Sequence, residues 1–209
     1  MNDAAYRSFM HTSAGRKLAE LEQLYAEISL AQNAFLDSAR SAGIVLSCPQ
    51  GCGSCCHRFI PDLMPLEVEY IALHVLKEGI AMPRDAPFCP FHDPSGKEGQ
   101  CRIYSARPLI CRFFGFSAVR SKDGRPSFRL CRHMPSPAGL SSRSLDASML
   151  AEIFGTVPPV MSDYALKVAA IDPGRAGTRG LLTDELPGAL ERIGALLRFC
   201  ELSTEPGAA

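Results

Sequence analysis

Four cysteines fall within nine residues, Cys48-Pro-Gln-Gly-Cys52-Gly-Ser-Cys55-Cys56, and Cys89, Cys101, Cys111 and Cys131 follow, which places eight of the nine cysteines in one stretch of chain. So dense a set of thiols implies a backbone that wraps around something the sulfurs bind. Thiolates select zinc, copper(I) or iron-sulfur centres, and a closed site takes four. Eight cysteines are therefore enough for one or two centres. Gly51 and Gly53 suit the wrapping, because glycine readily takes the positive φ that a tight metal loop requires. The adjacent pair Cys55-Cys56 is expected to point apart, so that each serves a different centre or one of them bridges.

A disulfide framework is the competing use of so many cysteines. With 209 residues and 46% apolar content the chain is large enough to bury a core without cross-links. Residues 1–16 contain no apolar run of signal-peptide length, and no segment is long enough to span a membrane. The expectation is a cytoplasmic protein with reduced thiols and no membrane association. Lysine plus arginine and aspartate plus glutamate both number 22, which gives no global pull toward nucleic acid. Locally, however, Arg102, Arg107, Arg112, Arg120, Lys122, Arg125, Arg129 and Arg132 face only one acid, Asp123, between Cys101 and His133. Cations beside thiolates lower their pKa and offset a buried negative centre, which is the reading preferred here over an RNA-binding patch.

Apolar spacing predicts a long amphipathic helix over 13–40, with Ser13 as N-cap and Gly43 as the stop. A second helix is expected over 66–77, with Pro65 in its first turn and Gly79 beyond its last. Pro108 limits the region around 104–112 to a short helical turn. Residues 113–119 and 126–130, joined through Asp123-Gly124, read as a β-hairpin. Further helices are expected over 145–154, 162–171 and 185–202, with the Gly-rich stretch 172–180 as a flexible linker.

The expected fold is mainly α: a small single domain with an irregular cysteine-rich metal-binding core containing a β-hairpin, plus a long N-terminal helix and C-terminal helices. Its parts are the helix at 1–43, the cysteine core at 44–135, a helical part packing on it at 136–202, and a disordered tail at 203–209.

The candidate metal ligands are Cys48, Cys52, Cys55, Cys56, Cys89, Cys101, Cys111 and Cys131. Their scattered second half favours an iron-sulfur cluster, [4Fe-4S] first, over zinc, since zinc ribbons use two compact C-x2-C knuckles. Arg107 and Arg112 are candidate cofactor-binding residues, and Tyr104 and Arg107 could orient a centre through hydrogen bonds to sulfur. His57, His92 and His133 are alternative ligands beside cysteines. Cys200 lies on the apolar face of the last helix and reads as a buried structural thiol; His74, mid-helix, reads as structural too. Glu67 and Glu69 are candidate acceptors around the site, candidate catalytic bases or, more simply, the acidic first turn of a helix.

The strings Cys48-x3-Cys52-x2-Cys55-Cys56, Cys89-Pro-Phe and Cys101-x-Ile-Tyr-x-x-Arg107-Pro108-x-x-Cys111-Arg112-Phe113 resemble the YkgJ-like proteins, the CxxCxxCC family of zinc- or iron-chelating proteins. The first gap here is one residue longer than in the family label. The resemblance implies metal or cluster binding by these cysteines. A related branch is similar to flagellin lysine N-methylase, which would imply an enzyme using S-adenosylmethionine at an open iron. The C-x3-C-x2-C spacing matches the cluster motif of radical S-adenosylmethionine enzymes, but the chain lacks the run of βα units that builds their barrel. The readings carried forward are an iron-sulfur or zinc protein with a redox or structural role, a methyltransferase acting on a protein substrate, and a zinc-stabilised adaptor for RNA or protein. The partner is unspecified.

Overall fold

The computed structural model describes residues 2–48, 53–56, 59–82, 88–93, 101–138, 140 and 144–203. The expected tail lies beyond them, apart from Ser203.

Helix α1 (Asp3–Met10) precedes α2 (Ser13–Ser41), a 29-residue rod. The periodicity of Leu18, Leu21, Tyr25, Ile28 and Phe35 is the buried face of α2. Its N-cap is Thr12 rather than Ser13: the Thr12 hydroxyl accepts a hydrogen bond from the Gly15 amide at 3.1 Å. Helix α1, only eight residues long, was outside the sequence expectation; its Ala5 and Phe9 are buried. Gly15 sits at the closest approach of α1 and α2, where a Cβ would overlap the carbonyl oxygen of Phe9.

Two hydrophobic cores share α2. The larger gathers Phe9, the first two-thirds of α2, α3 (Pro65–Glu78), α4 (Leu109–Phe113), α6 (Met161–Ile171) and α7 (Leu182–Leu202). The second collects Phe35, Ala39, Ile44 and Leu46 from the end of α2 and the segment after it. Against these pack Phe128, Leu130, Met134 and Leu145, together with Leu150 and Phe154 of α5 (Ala147–Phe154). Phe35, Phe128 and Phe154 meet edge to face, with centroids 5.2–5.9 Å apart.

Helix α3 matches expectation, with Pro65 at its start and Gly79 closing it at φ +64°. The hairpin forms as β2 (Ala118–Arg120) and β3 (Pro126–Arg129), with Gly124 in its turn. Its first arm is shorter than expected, because Phe113 is buried at the end of α4 and Gly115, at φ +86°, redirects the chain. Strand β4 (Ser144–Leu145) extends the hairpin to three antiparallel strands, so Leu145 pairs with Phe128 instead of opening α5. Asp146 caps α5 by accepting from the Ser148 amide.

Strand β1 (Asp62–Leu63) pairs antiparallel with β5 (Gly180–Leu181). Residues 172–180 are not a loose linker. Asp172 is buried and ion-paired to Lys17 (2.8 Å) and Arg175 (2.6 Å). Arg175 also grips both oxygens of Glu69, at 2.7 and 3.0 Å. The glycines give this stretch its turns, while its charged side chains fasten α7 to α3 and α2.

Gly15→Ala is expected to destabilise the fold by about 1–3 kcal/mol, the range for forcing volume into a packed contact. Gly174→Ala, where a Cβ would meet nothing within 4 Å, should lie near neutral in the same denaturation series; equal effects would refute the tight α1–α2 crossing.

Candidate metal centre

Each cysteine near the centre is carried by a tight backbone turn. Cys55 and Cys56 sit in a turn closed by the Cys56 amide donating to Gly53 O at 2.7 Å, with Gly53 at φ +49°. Cys89 opens a second turn, in which the His92 amide donates to Cys89 O at 3.0 Å and Phe91 is fully buried. The bridge between His92 and Cys101 brings the next cysteine alongside, with the Arg102 amide donating to Phe91 O at 2.9 Å. Tyr104–Ala106 form a 3-10 turn, and α4 then presents Cys111.

The sulfurs of Cys55 and Cys56 are 4.0 Å apart. They converge, contrary to the expectation that adjacent side chains point apart. Cys89 stands close enough to Cys56 for the two thiols to influence each other's titration. The Cys56 thiol keeps its proton, with its pKa raised. Its influence lowers those of Cys55 and Cys89, to about 6 and about 7. Amides of Phe91 and His92 also point at the Cys89 sulfur, and the Ile103 amide at that of Cys101. Burial pushes Cys111 up to about 12, reinforced by the negative charges of Cys89, Cys101 and Cys55. Arg107 opposes this field at Cys55, Cys101 and Cys111. Its guanidinium is stacked 3.6 Å from the Tyr104 ring and donates to Tyr104 O.

The other arginines next to cysteines are backbone clamps. Arg112 donates to Arg107 O at 2.6 Å and to Ser105 O, and stacks 4.1 Å over the Tyr25 ring. These contacts tie the Arg112 guanidinium to two carbonyls and one ring. Arg102 ties Ala81 O (2.8 Å) to Pro90 O (2.7 Å). Arg120 pairs with Asp163 through both of its oxygens, and Arg125 with Asp123.

Beneath α4 lies Glu67, 2% exposed. It accepts from the Leu109 amide (2.8 Å), the Tyr25 hydroxyl (3.0 Å) and the Met64 amide (3.3 Å). Burial raises its pKa, with these three hydrogen bonds opposing. Gln32 of α2 donates to Arg112 O at 2.8 Å. Tyr25 and Gln32 carry no metal-site signal in sequence, since they read as ordinary positions of a long helix. Glu67 was visible as a candidate acceptor, three residues after the Met64 N-cap.

Cys131 packs with the second core beside Gly115, Cys48 follows Leu46 of that core and is exposed, and Cys200 is buried in the main core, as its helical spacing indicated. Cys52 and His57 lie outside the described residues. His92 enters the turn through its backbone bridge, and His133 accepts from Arg132 at 3.0 Å. His74 is partly buried on α3, where desolvation lowers its pKa. Among the described residues, no three His, Cys, Asp or Glu side chains are closed tightly enough to hold a metal ion. The thiols are gathered on one side of the main core with backbone donors aimed at them. Such a soft donor set fits zinc or iron.

Residues 47–132 match the model of the CxxCxxCC family, "Putative zinc- or iron-chelating domain". No curated protein and no solved structure matches the chain. No helix among the described residues is long and apolar enough to cross a membrane.

Two arginine substitutions should separate clamp from field. Arg112→Lys, which cannot reproduce the forked contacts, is expected to destabilise the fold by about 1–3 kcal/mol, the range for leaving acceptors unpaired. Arg107→Ala should leave the melting temperature close to the parent but slow alkylation of the thiols at neutral pH, because removing the cation shifts them toward the protonated form. Unchanged alkylation would show that Arg107 does not act on the sulfurs.

Proposed function

We propose that the protein is a metal-binding protein whose centre is a single zinc or iron ion, held by Cys55, Cys56, Cys89 and Cys111 with Cys101 alongside. The observation that carries this reading is the 4.0 Å separation of the Cys55 and Cys56 sulfurs. A tetrahedral site with metal–sulfur bonds of about 2.3 Å has sulfur–sulfur edges of about 3.8 Å. In a cubane cluster each iron takes its own thiolate, which holds the sulfurs farther apart. The contact therefore favours one ion over the [4Fe-4S] cluster suggested by the scattered spacing. A site filled by four thiolates is structural in character, since catalytic metal sites keep a position open.

The internal engagement of Arg102, Arg112, Arg120 and Arg125 supports chelation over RNA binding, because those cations are already paired or spent on carbonyls. The Cys55–Cys56 contact holds a proton that metal binding would displace, since thiolates are the ligand form.

Protein purified anaerobically is expected to carry zinc or iron, one ion per chain, without acid-labile sulfide, and Cys56→Ala should abolish retention. A brown protein with labile sulfide, bleached by dithionite, would replace the single ion with a cluster. Protein without metal, unable to take up zinc or iron on reconstitution, would overturn the reading.

A further inference from the structure

Helix α4 has an unusual start for an element that must place a ligand. Its N-cap is Pro108, which has no side-chain acceptor, so the first helical amide, on buried Leu109, finds no local cap. The acceptor comes from another helix. Glu67 of α3 reaches across to Leu109 N at 2.8 Å, and the same oxygen is held by the Tyr25 hydroxyl of α2 at 3.0 Å. Its second oxygen accepts from the Met64 amide, which fixes the carboxylate from behind. Cys111 stands two residues beyond Leu109, on the turn that Glu67 holds.

The buried Leu109 amide and Tyr25 hydroxyl need an acceptor, which Glu67 supplies against the desolvation cost of burying a carboxylate. A metal centre has a stricter need, because its bond lengths tolerate only about ±0.2 Å and groups that orient the ligands tune affinity. The orientation of α4 decides where the Cys111 sulfur stands relative to Cys89 and Cys55.

We propose that Glu67 is a positioning residue of the metal centre: bonded to the Leu109 amide and steadied by Tyr25, it sets the placement of Cys111 as a ligand. This rests on the metal-binding reading above. It adds that a residue of α3, distant in sequence from Cys111 and not itself a ligand, governs affinity.

The test uses the full chain, zinc affinity by chelator competition, and the absorption of the cobalt(II) form, whose bands report coordination geometry. Glu67→Gln, which keeps an oxygen for the Leu109 amide, should bind nearly as the parent does. Glu67→Leu and Glu67→Asp remove that reach, and each should lose about 10–100-fold in zinc affinity, the range for groups that orient metal ligands. Their cobalt bands should shift. In a Cys111→Ala background, Glu67→Asp should produce no further loss, because the effect runs through Cys111. If Glu67→Leu does not fold, Glu67→Asp decides. A folded variant with parental affinity and parental cobalt bands overturns the positioning role while leaving the metal reading intact. An additive loss in the Cys111→Ala background overturns it too. A parent chain that binds neither zinc nor cobalt removes the metal reading itself, and shows this before any variant is made.

Discussion

Helix α2 is the element on which the rest of the molecule depends, because both hydrophobic cores are built against it. Leu18, Leu21, Tyr25 and Ile28 belong to the larger core, and Phe35 and Ala39 to the smaller. A single rigid rod buried at both ends fixes the two cores relative to each other. It also supplies the groups that reach α4: the Tyr25 hydroxyl through Glu67, the Tyr25 ring under Arg112, and Gln32 on the Arg112 carbonyl. The cysteine segments have little regular structure of their own. Their order is borrowed from this helix and from α3.

The borrowing answers a difficulty inherent in gathering thiols. Sulfurs held close together repel once ionised, and Cys111 shows the effect as a pKa raised by burial and by its neighbours. Three devices oppose the repulsion: amides of Phe91, His92 and Ile103 aimed at sulfur, the Arg107 cation, and the proton Cys56 shares with Cys55. The arginines that follow cysteines divide accordingly. Arg107 acts through its field, whereas Arg102 and Arg112 act through hydrogen bonds to carbonyls that lock the turns. The string Arg107-Pro108-x-x-Cys111-Arg112 is then a compact set of parts: a cation, a helix start, a thiol and a clamp.

The C-terminal portion closes the other side of the scaffold. Glu69, next but one to Glu67, faces Arg175 at 2.7 Å and Arg192 at 3.6 Å. Arg179 meets Asp62 at the start of β1. Helix α3 therefore uses its two buried acids for different partners, Glu67 toward the metal side and Glu69 toward the C-terminal helix. Ion pairs of this partly exposed kind contribute modestly one by one. Their value here is to seat a glycine-rich segment that has little apolar surface of its own.

The sequence by itself determined the chemistry and the main helices. Eight cysteines in one stretch specify a soft-metal centre whatever the fold, and the spacing from Leu18 to Phe35, Pro65 with Gly79, and the spacing up to Cys200 set α2, α3 and α7, because burial of one helical face leaves a period in the chain. The turn signal at Asp123-Gly124 was equally local and legible. Tertiary structure decided what depends on which residues meet across the chain. It set Arg112 on the carbonyls of Arg107 and Ser105, and it made residues 172–180 an ion-paired strap where the sequence reads as a linker. It turned Cys55 and Cys56 toward one point, and it brought Glu67 under α4. Each outcome rests on an acceptor or partner remote in sequence, and no local pattern records a hydrogen bond whose two ends are far apart in the chain.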